Sequence, residues 1–348
     1  MTWRRHVSDA ARDLLISSAR LSSLVRLTIT RHRLRKVSSG SIDVRGQELL
    51  LFSNLRNEAH RIPRFLEYYR SKGVDKFFFV DNRSEDDTAN LLLPERDVYL
   101  FQTSQPYSQA GYGLLWQKIL ADRYGRNTWC LFVDLDEIFV YPHWEDLSIK
   151  DVCHVLEQEH KDAMKVLMLD MYSDEYPSLE SNPGVPLWRL FHSFDRQTYY
   201  ARNSGGISFM HGGVRERVFH ASPCLTKFPL VKYSREMVFE SIHKLHNIHP
   251  SSAEGALLHF KFDSSFAERT RREVERGEHW QGAAEYRMYA SALDRPEGPP
   301  VFFSPDHTAR FEDSQQLIRL GIMKTSDEFE GCVRQAGLQR HIGGKGTG

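Results

Sequence analysis

An α/β fold with a doubly wound, mostly parallel sheet follows from two observations on residues 48–137. Apolar runs of strand length alternate with amphipathic helical stretches across short connections. Three of those runs, ELLLFSNL (48–55), DKFFFVDN (75–82) and TWCLFVDLDE (128–137), run into polar residues, as strands do at the carboxyl edge of such a sheet.

Residues 3–28 carry Trp3, Val7, Ala10, Leu14, Leu21 and Leu24 at helical spacing, with Arg4, Arg5, Arg12, Arg20 and Arg26 between them. That pattern predicts a basic amphipathic helix, and the cluster RHRLRK (31–36) follows it. Such a helix can lie on an anionic membrane surface or dock on protein; its Arg/Ser-rich character also suits a transit peptide. SSGSIDVRG (38–46) reads as a linker.

After the first strand, IPRFLEYYRSKG (62–73) predicts a helix with Pro63 in its first turn and Gly73 past its end. SEDDTANLLL (84–93) predicts a short helix opened by Ser84 or Asp86, DVYLFQT (97–103) a strand and GLLWQKILADRYG (113–125) a helix. The fourth strand is expected to end near Val133. SIKDVCHVLEQEH (148–160) reads as a helix and AMKVLMLDMYS (163–173) as a strand. A Pro-rich loop (173–187) and mixed strands lead to LLHFKF (257–262). A charged helical stretch (264–293) follows, and the GGKGTG terminus has the composition of a disordered tail.

The chain has 348 residues, 41% hydrophobic and 26% charged, as in a soluble globular protein. Net charge is zero, but residues 1–40 hold nine Arg/Lys against two Asp/Glu, a net of +7, leaving the remainder at −7. An acidic body argues against general nucleic-acid binding. Cys130, Cys153, Cys224 and Cys332 form no CxxC pair, so neither zinc nor a disulfide framework is expected, and a reducing cytoplasm fits. No apolar run approaches the ~20 residues of a membrane span, and no signal-peptide core stands at the N-terminus.

The strand ends supply Arg56-Asn57-Glu58, then Asp81-Asn82 with Ser84, Asp86 and Asp87, then Asp134-Leu135-Asp136-Glu137. On successive parallel strands these converge on one crevice. Asp134 and Asp136 lie two apart, so an extended chain sends both to one face, an arrangement that suits Mg2+ or Mn2+ beside phosphate oxygens. His243, His246 and His249 recur every three residues, but Pro250 follows at once, and most of the 16 histidines read as surface or core residues. By pattern alone His259, inside an apolar strand, reads as a satisfied core histidine.

The order RNE (56–58), VDNRSEDDT (80–88), VDLDEIF (133–139) resembles the family 2-like glycosyltransferases of GT-A fold, most closely the branch with an Asp-x-Asp-Glu-Phe-type motif. HGGVRERVF (211–219), LTKFPLVKY (225–233), LLHFKF and RGEHWQGAAEYRMY (276–289) extend the likeness over residues 47–292; Ile138 departs from the branch's Phe. The resemblance implies a GT-A domain (41–265) with nucleotide-binding (47–142) and acceptor (143–265) halves; the basic N-terminal helix and linker (1–40) and the tail after 293 lie outside it, and the chain from 266 to 348 is expected to form a helical C-terminal extension with a disordered tail.

It also implies transfer of a sugar from a nucleotide-sugar donor, UDP-linked by expectation, to a glycan or lipid-linked acceptor. Asn57, Glu58, Asp81 and Asn82 would face base and ribose, and Asp134 and Asp136 the nucleotide sugar and its Mn2+ or Mg2+. His259 would complete the metal or diphosphate site, with Lys261 assisting. An inverting displacement needs a general base from the acceptor half. Asp174 is the first candidate, then Glu175 and Glu216, because Asp170 is expected to cap its strand and Glu216 to pair with Arg215 or Arg217. A cytoplasmic enzyme, peripheral on the inner face of an anionic membrane, fits these expectations. The rivals are an Asp-x-Asp Mg2+ phosphatase, a pyrophosphorylase (whose Gly-rich phosphate loop is missing) and an inactive carbohydrate-binding protein.

Overall fold

The computed structural model describes residues 27–204, 207–296 and 298–338. Most of the basic helix expected over 3–28, and the tail from 339, lie outside the described residues. The strands, in chain order, are β1 (Arg35–Lys36), β2 (Leu49–Leu55), β3 (Lys76–Asp81), β4 (Val98–Gln102), β5 (Trp129–Phe132), β6 (Glu137–Val140) and β7 (Ala163–Asp170). There follow β8 (Ser193–Asp195), β9 (Tyr199–Ser204), β10 (Ile207–Gly212), β11 (Thr226–Lys232), β12 (Val238–Ser241), β13 (Lys244–His246), β14 (Pro250–His259) and β15 (Thr308–Arg310).

Nine of them build one mixed sheet in the order β1-β4-β3-β2-β5-β11-β7-β14-β6. β2, β3, β4 and β5 pair in parallel; β11 runs antiparallel to both β5 and β7; β14 is parallel to β7 and antiparallel to β6. Six strands, β2 to β5 with β7 and β14, therefore point the same way, and their carboxyl ends share one edge. Helices cover both faces, as in a Rossmann-like α/β protein.

The apolar strands need both covers. Leu49, Leu51, Phe77 and Phe79 face one core, with Ile62, Phe65 and Tyr69 of the helix Ile62–Ser71 and Val152, Val155 and Leu156 of the helix Ile149–Gln158. Leu50, Phe52, Phe78 and Val80 alternate into the other, against Trp116 and Leu120 of the helix Leu114–Tyr124. Ser148 and Asp151 close a capping box that starts the helix Ile149–Gln158.

The fourth strand stops at Phe132, within a residue of the expected end, and its acids lie beyond it as expected; Glu137 then opens a separate strand, β6, at the far edge beside β14, so the DLD segment crosses the carboxyl edge of the sheet. Three local expectations are corrected. The helix expected from Ser84 or Asp86 starts at Thr88, because Ser84 Oγ accepts from Asn57 N–H, while Asp86 Oδ1 accepts from Thr88 N–H at the helix start. The stretch 38–46 is no free linker: Ser38 Oγ accepts from Leu100 N–H at 3.1 Å, and Ile42 and Val44 pack on the second core. After residue 266 the chain is not helical throughout. Helices Phe266–Arg276 and Trp280–Leu293 precede β15, which pairs with β8, and Leu317, Phe329 and Val333 then enter the main core. Among the described residues no helix is long and apolar enough to cross a membrane, and the four cysteines are free thiols.

Candidate functional site

The carboxyl edge gathers residues far apart in sequence. β14 pairs with β6 so that His259 stands opposite Glu137, and with β7 so that His259 stands opposite Asp170. The backbone of Asp136 is fastened there too, since Phe260 N–H donates to Asp136 O at 2.7 Å. These pairings bring Asp136, Glu137, Asp170 and His259 together.

His259 is the hub. Its Nδ1 lies 2.6 Å from Asp170 Oδ1 and its Nε2 lies 3.4 Å from Asp136 Oδ2. Burial opposes charge on this imidazole, but the two carboxylates outweigh it, so its pKa is raised. Asp170 in turn accepts from Arg215 Nε at 2.7 Å, and Arg215 reaches Glu285 at 3.0 Å. Burial pushes the Asp170 carboxyl up; Arg215 and His259 more than offset it and hold it at about 2. Asp136 is driven well below the carboxylate range despite burial, chiefly by His259, then by Arg61 and Lys261.

Asp134 keeps a half-exposed carboxylate, 3.5 Å from the ammonium of Lys227. Lys227, at the start of β11, is buried and ion-paired with Glu137, whose other oxygen accepts from Asp134 N–H at 3.0 Å. Burial works against the ammonium, but Glu137 and Asp134 outweigh it, so Lys227 stays charged. Lys261, two residues past β14, is buried over the rings of Tyr286 (4.8 Å) and Tyr289 (5.4 Å). Burial lowers its pKa, and Tyr286 and Glu285 raise it above the usual value.

The expected nucleoside positions lie on the same edge, but their polar atoms bond one another. Asn57 (φ 56°) receives Glu85 N–H at Oδ1 (2.8 Å), and Glu58 receives Arg61 at 2.6 Å. Asp81 is buried, accepting from Ser84 N–H (2.9 Å) and Gln102 Nε2 (3.0 Å). Asn82 donates to the carbonyls of Thr103 and Gln105 and accepts from Arg276 at 2.7 Å. Arg276 also bonds Glu278, which accepts from Tyr107 N–H, so the stretch 276–279 closes this end of the crevice.

The three candidate bases are not drawn in. Asp174 and Glu175 are exposed in the loop beyond β7. Glu216 pairs with neither flanking arginine: Arg215 takes Asp170 and Glu285, Arg217 takes Asp195, and Glu216 accepts from Tyr200 OH at 2.9 Å. The role expected for Asp170, capping its strand end, is corrected to anchoring His259. Sequence reading missed Lys227, Arg215, Glu285 and His243 as neighbours of the site. A signal existed for Lys227, because a lysine in an apolar strand needs a buried acid.

A metal ion fits part of this set. Adjacent ligands of an octahedral ion at 2.0–2.1 Å stand roughly 3 Å apart, close to the 3.4 Å between Asp136 Oδ2 and His259 Nε2. His259 also has the carboxylate partner on its other nitrogen that metal-binding imidazoles use. Among the described residues no group of three or more His, Cys, Asp or Glu could hold a metal unaided, so remaining ligands would have to be water or phosphate oxygens.

The fold and this edge define an α/β protein with a Rossmann-like mixed sheet and an acid–imidazole centre at its carboxyl ends. No protein-family model matches the chain, and no curated protein matches it.

Proposed function

We propose that this chain is a metal-dependent glycosyltransferase of GT-A type, taking a sugar from a nucleoside-diphosphate donor, UDP-linked by expectation, to a glycan or lipid-linked acceptor. The observation that supports it most is the meeting of Asp136 with His259 at the carboxyl edge, beside the half-exposed Asp134. Asp136 and His259, completed by water or phosphate oxygens and with Asp134 beside them, would hold Mn2+ or Mg2+, which supplies positive charge to a departing diphosphate. Lys261 adds a buried ammonium on the same side. Asn57, Glu58, Asp81 and Asn82 would receive base and ribose, with the Arg276–Asn82 bond exchanged for donor contacts. The basic segment 1–26 would hold the enzyme to an anionic membrane near a lipid-linked acceptor.

The second reading, an Asp-x-Asp phosphatase, draws on Lys227 beside Asp134. It needs a second acid able to protonate a departing alcohol, however, and Asp136 is held ionised by His259. The two readings part in one experiment. Thermal unfolding is measured with UDP, GDP or neither, with and without Mn2+, alongside UDP release from UDP-glucose, UDP-galactose and UDP-N-acetylglucosamine. Mn2+-dependent stabilisation by a nucleoside diphosphate supports the transferase. Phosphate release from p-nitrophenyl phosphate without nucleotide binding would replace it.

A further inference from the structure

One imidazole beside the crevice has no part in the arrangement above. His243 sits in the tight turn joining β12 to β13, where its N–H donates to Ser241 Oγ at 3.1 Å. Its ring turns toward the sheet, with Nδ1 2.8 Å from the carbonyl oxygen of Thr226, the first residue of β11. The next residue is Lys227, whose ammonium lies between Glu137 and Asp134. A carbonyl can only accept, so the neutral ring carries its proton on Nδ1. Nε2 is left with its lone pair free, without a partner among the described residues and not enclosed. This is the tautomer a general base requires.

The placement also suits that task. Thr226 lies on β11 and His259 on β14, with β7 between them. Thr226 is level with Leu167 of β7 and His259 with Asp170, so two strand spacings across and three residues along the sheet put them roughly 14 Å apart, with room for a sugar ring between a metal-held diphosphate and a base. The charged groups facing His243 are Lys227 from β11, and Arg215 and Glu285 from the helices Gly213–Phe219 and Trp280–Leu293. Burial first, then Lys227 and Arg215, disfavour the imidazolium and push its pKa down to about 4, although the Thr226 carbonyl and Glu285 pull the other way. The ring is therefore neutral at pH 7 and about as basic as an ordinary carboxylate.

We infer that His243 is the general base of the transfer, an assignment that rests on the glycosyltransferase reading. The hydroxyl of the acceptor, or water, gives its proton to His243 Nε2 as its oxygen bonds the anomeric carbon. The bond from that carbon to the diphosphate breaks, and its electron pair leaves with the nucleoside diphosphate. His243 belongs to a hairpin of the acceptor half, where neither Asp134 nor Asp136 could serve while holding a cation.

The test uses the full chain with Mn2+ and measures UDP release from UDP-glucose, UDP-galactose and UDP-N-acetylglucosamine with water as acceptor, beside calorimetric binding of UDP. His243→Asn keeps an amide N–H for the Thr226 carbonyl and deletes Nε2; His243→Gln is made in parallel as a second variant. UDP affinity within twofold of wild type, with UDP release lowered by about 10²–10⁴-fold, is the expected result. Normal release by either variant overturns the role of His243 and leaves the transferase reading standing. Loss of UDP binding in both variants also overturns it, by making His243 a structural residue. A wild-type chain that neither binds UDP with Mn2+ nor releases it from any of the three sugars removes the transferase reading itself.

Discussion

His259 Nδ1 lies 2.6 Å from Asp170 Oδ1, and Asp170's other oxygen is held by Arg215 at 2.7 Å. The ring is thus oriented through a buried carboxylate that is itself fixed by a buried guanidinium. Asp170→Asn should loosen both ends. Removing one partner of a buried pair costs about 3–5 kcal/mol, at the lower end here because Arg215 retains Glu285. Loss of the partner behind a metal-binding imidazole weakens cation affinity by about 10–100-fold. Urea unfolding and UDP titration with Mn2+ read the two effects separately, and a variant unchanged in both would remove Asp170 from the site.

Asp136→Ala should abolish Mn2+-dependent stabilisation by UDP while leaving a folded protein, because the backbone of residue 136 stays tied to Phe260. Asp134→Ala should weaken nucleotide binding with a smaller effect on stability, since Asp134 is half exposed and its one ion pair is long. Thermal shifts with and without Mn2+ decide this. A full Mn2+-dependent shift in Asp136→Ala would refute the metal role.

How far the sequence revealed this site depends on the kind of interaction. β2, β3, β4 and β5 were legible because continuous apolar runs such as KFFFVD admit no solvated face. Gathering Asp81, Asp134 and Asp136 on one edge followed from the parallel alternation alone. What stayed hidden depends on pairing between distant strands. Nothing local announces that β11 inserts antiparallel between β5 and β7, and that insertion sets Lys227 beside Asp134 and Thr226 beside His243. WCLFVDLDEIFV splits into the central strand β5 and the edge strand β6; Asp134, Asp136 and Glu137 mark the break, but nothing local shows that EIFV pairs with the distant β14. His243 looked like one of a row of surface histidines because its partner is a backbone carbonyl, which leaves no mark on composition.

Lys227 and Glu137 form a buried ion pair beneath the exposed carboxylate of Asp134. Lys227→Met alone leaves Glu137 buried without a cation and should cost about 3–5 kcal/mol. Glu137→Gln alone strands the ammonium, with only Asp134 to partner it. The double variant restores neutrality and should be more stable than Lys227→Met, so a double-mutant cycle in urea should return a coupling energy above about 1 kcal/mol. Additive losses would mean that the pair contributes nothing as a pair.

Acid should unfold the protein along a limb with identifiable parts. The Asp170 carboxyl sits at about 2 in the folded chain against 3.8 ordinarily, and Glu285 at about 2 against 4.5. A depressed carboxyl contributes stability above its unfolded pKa and loses it as pH falls through the folded value. For the buried Asp170 that is about 2 kcal/mol lost between pH 4 and 2. His243, depressed from 6.5 to about 4, binds fewer protons folded than unfolded, so its share disappears as pH falls from 6.5 to 4. His259, raised, works oppositely: its share is present below 6.5 and lost as pH rises through its folded pKa. Urea midpoints from pH 2 to 8 should fall with acid, with a flatter slope below pH 4 in Asp170→Asn. A slope equal to wild type would contradict the pairing.

The N-terminal charge can be tested only with a cut chosen from the structure. Residues 1–40 carry a net +7, but several of those after 26 are engaged with the body. Thr30 is fully buried and its Oγ1 accepts from Gln105 Nε2 at 3.1 Å, β1 pairs with β4, and Lys36 Nζ bonds the carbonyls of Ser38 and Gly40. Removing 1–40 would uncover the edge of the sheet and confound binding with damage. Removing 1–26 takes away Arg4, Arg5, Arg12, Arg20 and Arg26 with two acids and leaves that edge closed. Each basic residue near an anionic surface contributes about 1 kcal/mol, so a net loss of three charges should weaken vesicle binding by about two orders of magnitude. Sedimentation with phosphatidylserine-containing vesicles at low salt should carry down the full chain and leave the truncated chain in solution, and UDP release from a water-soluble donor should be equal in the two. Equal sedimentation of both proteins would exclude the segment as a membrane contact.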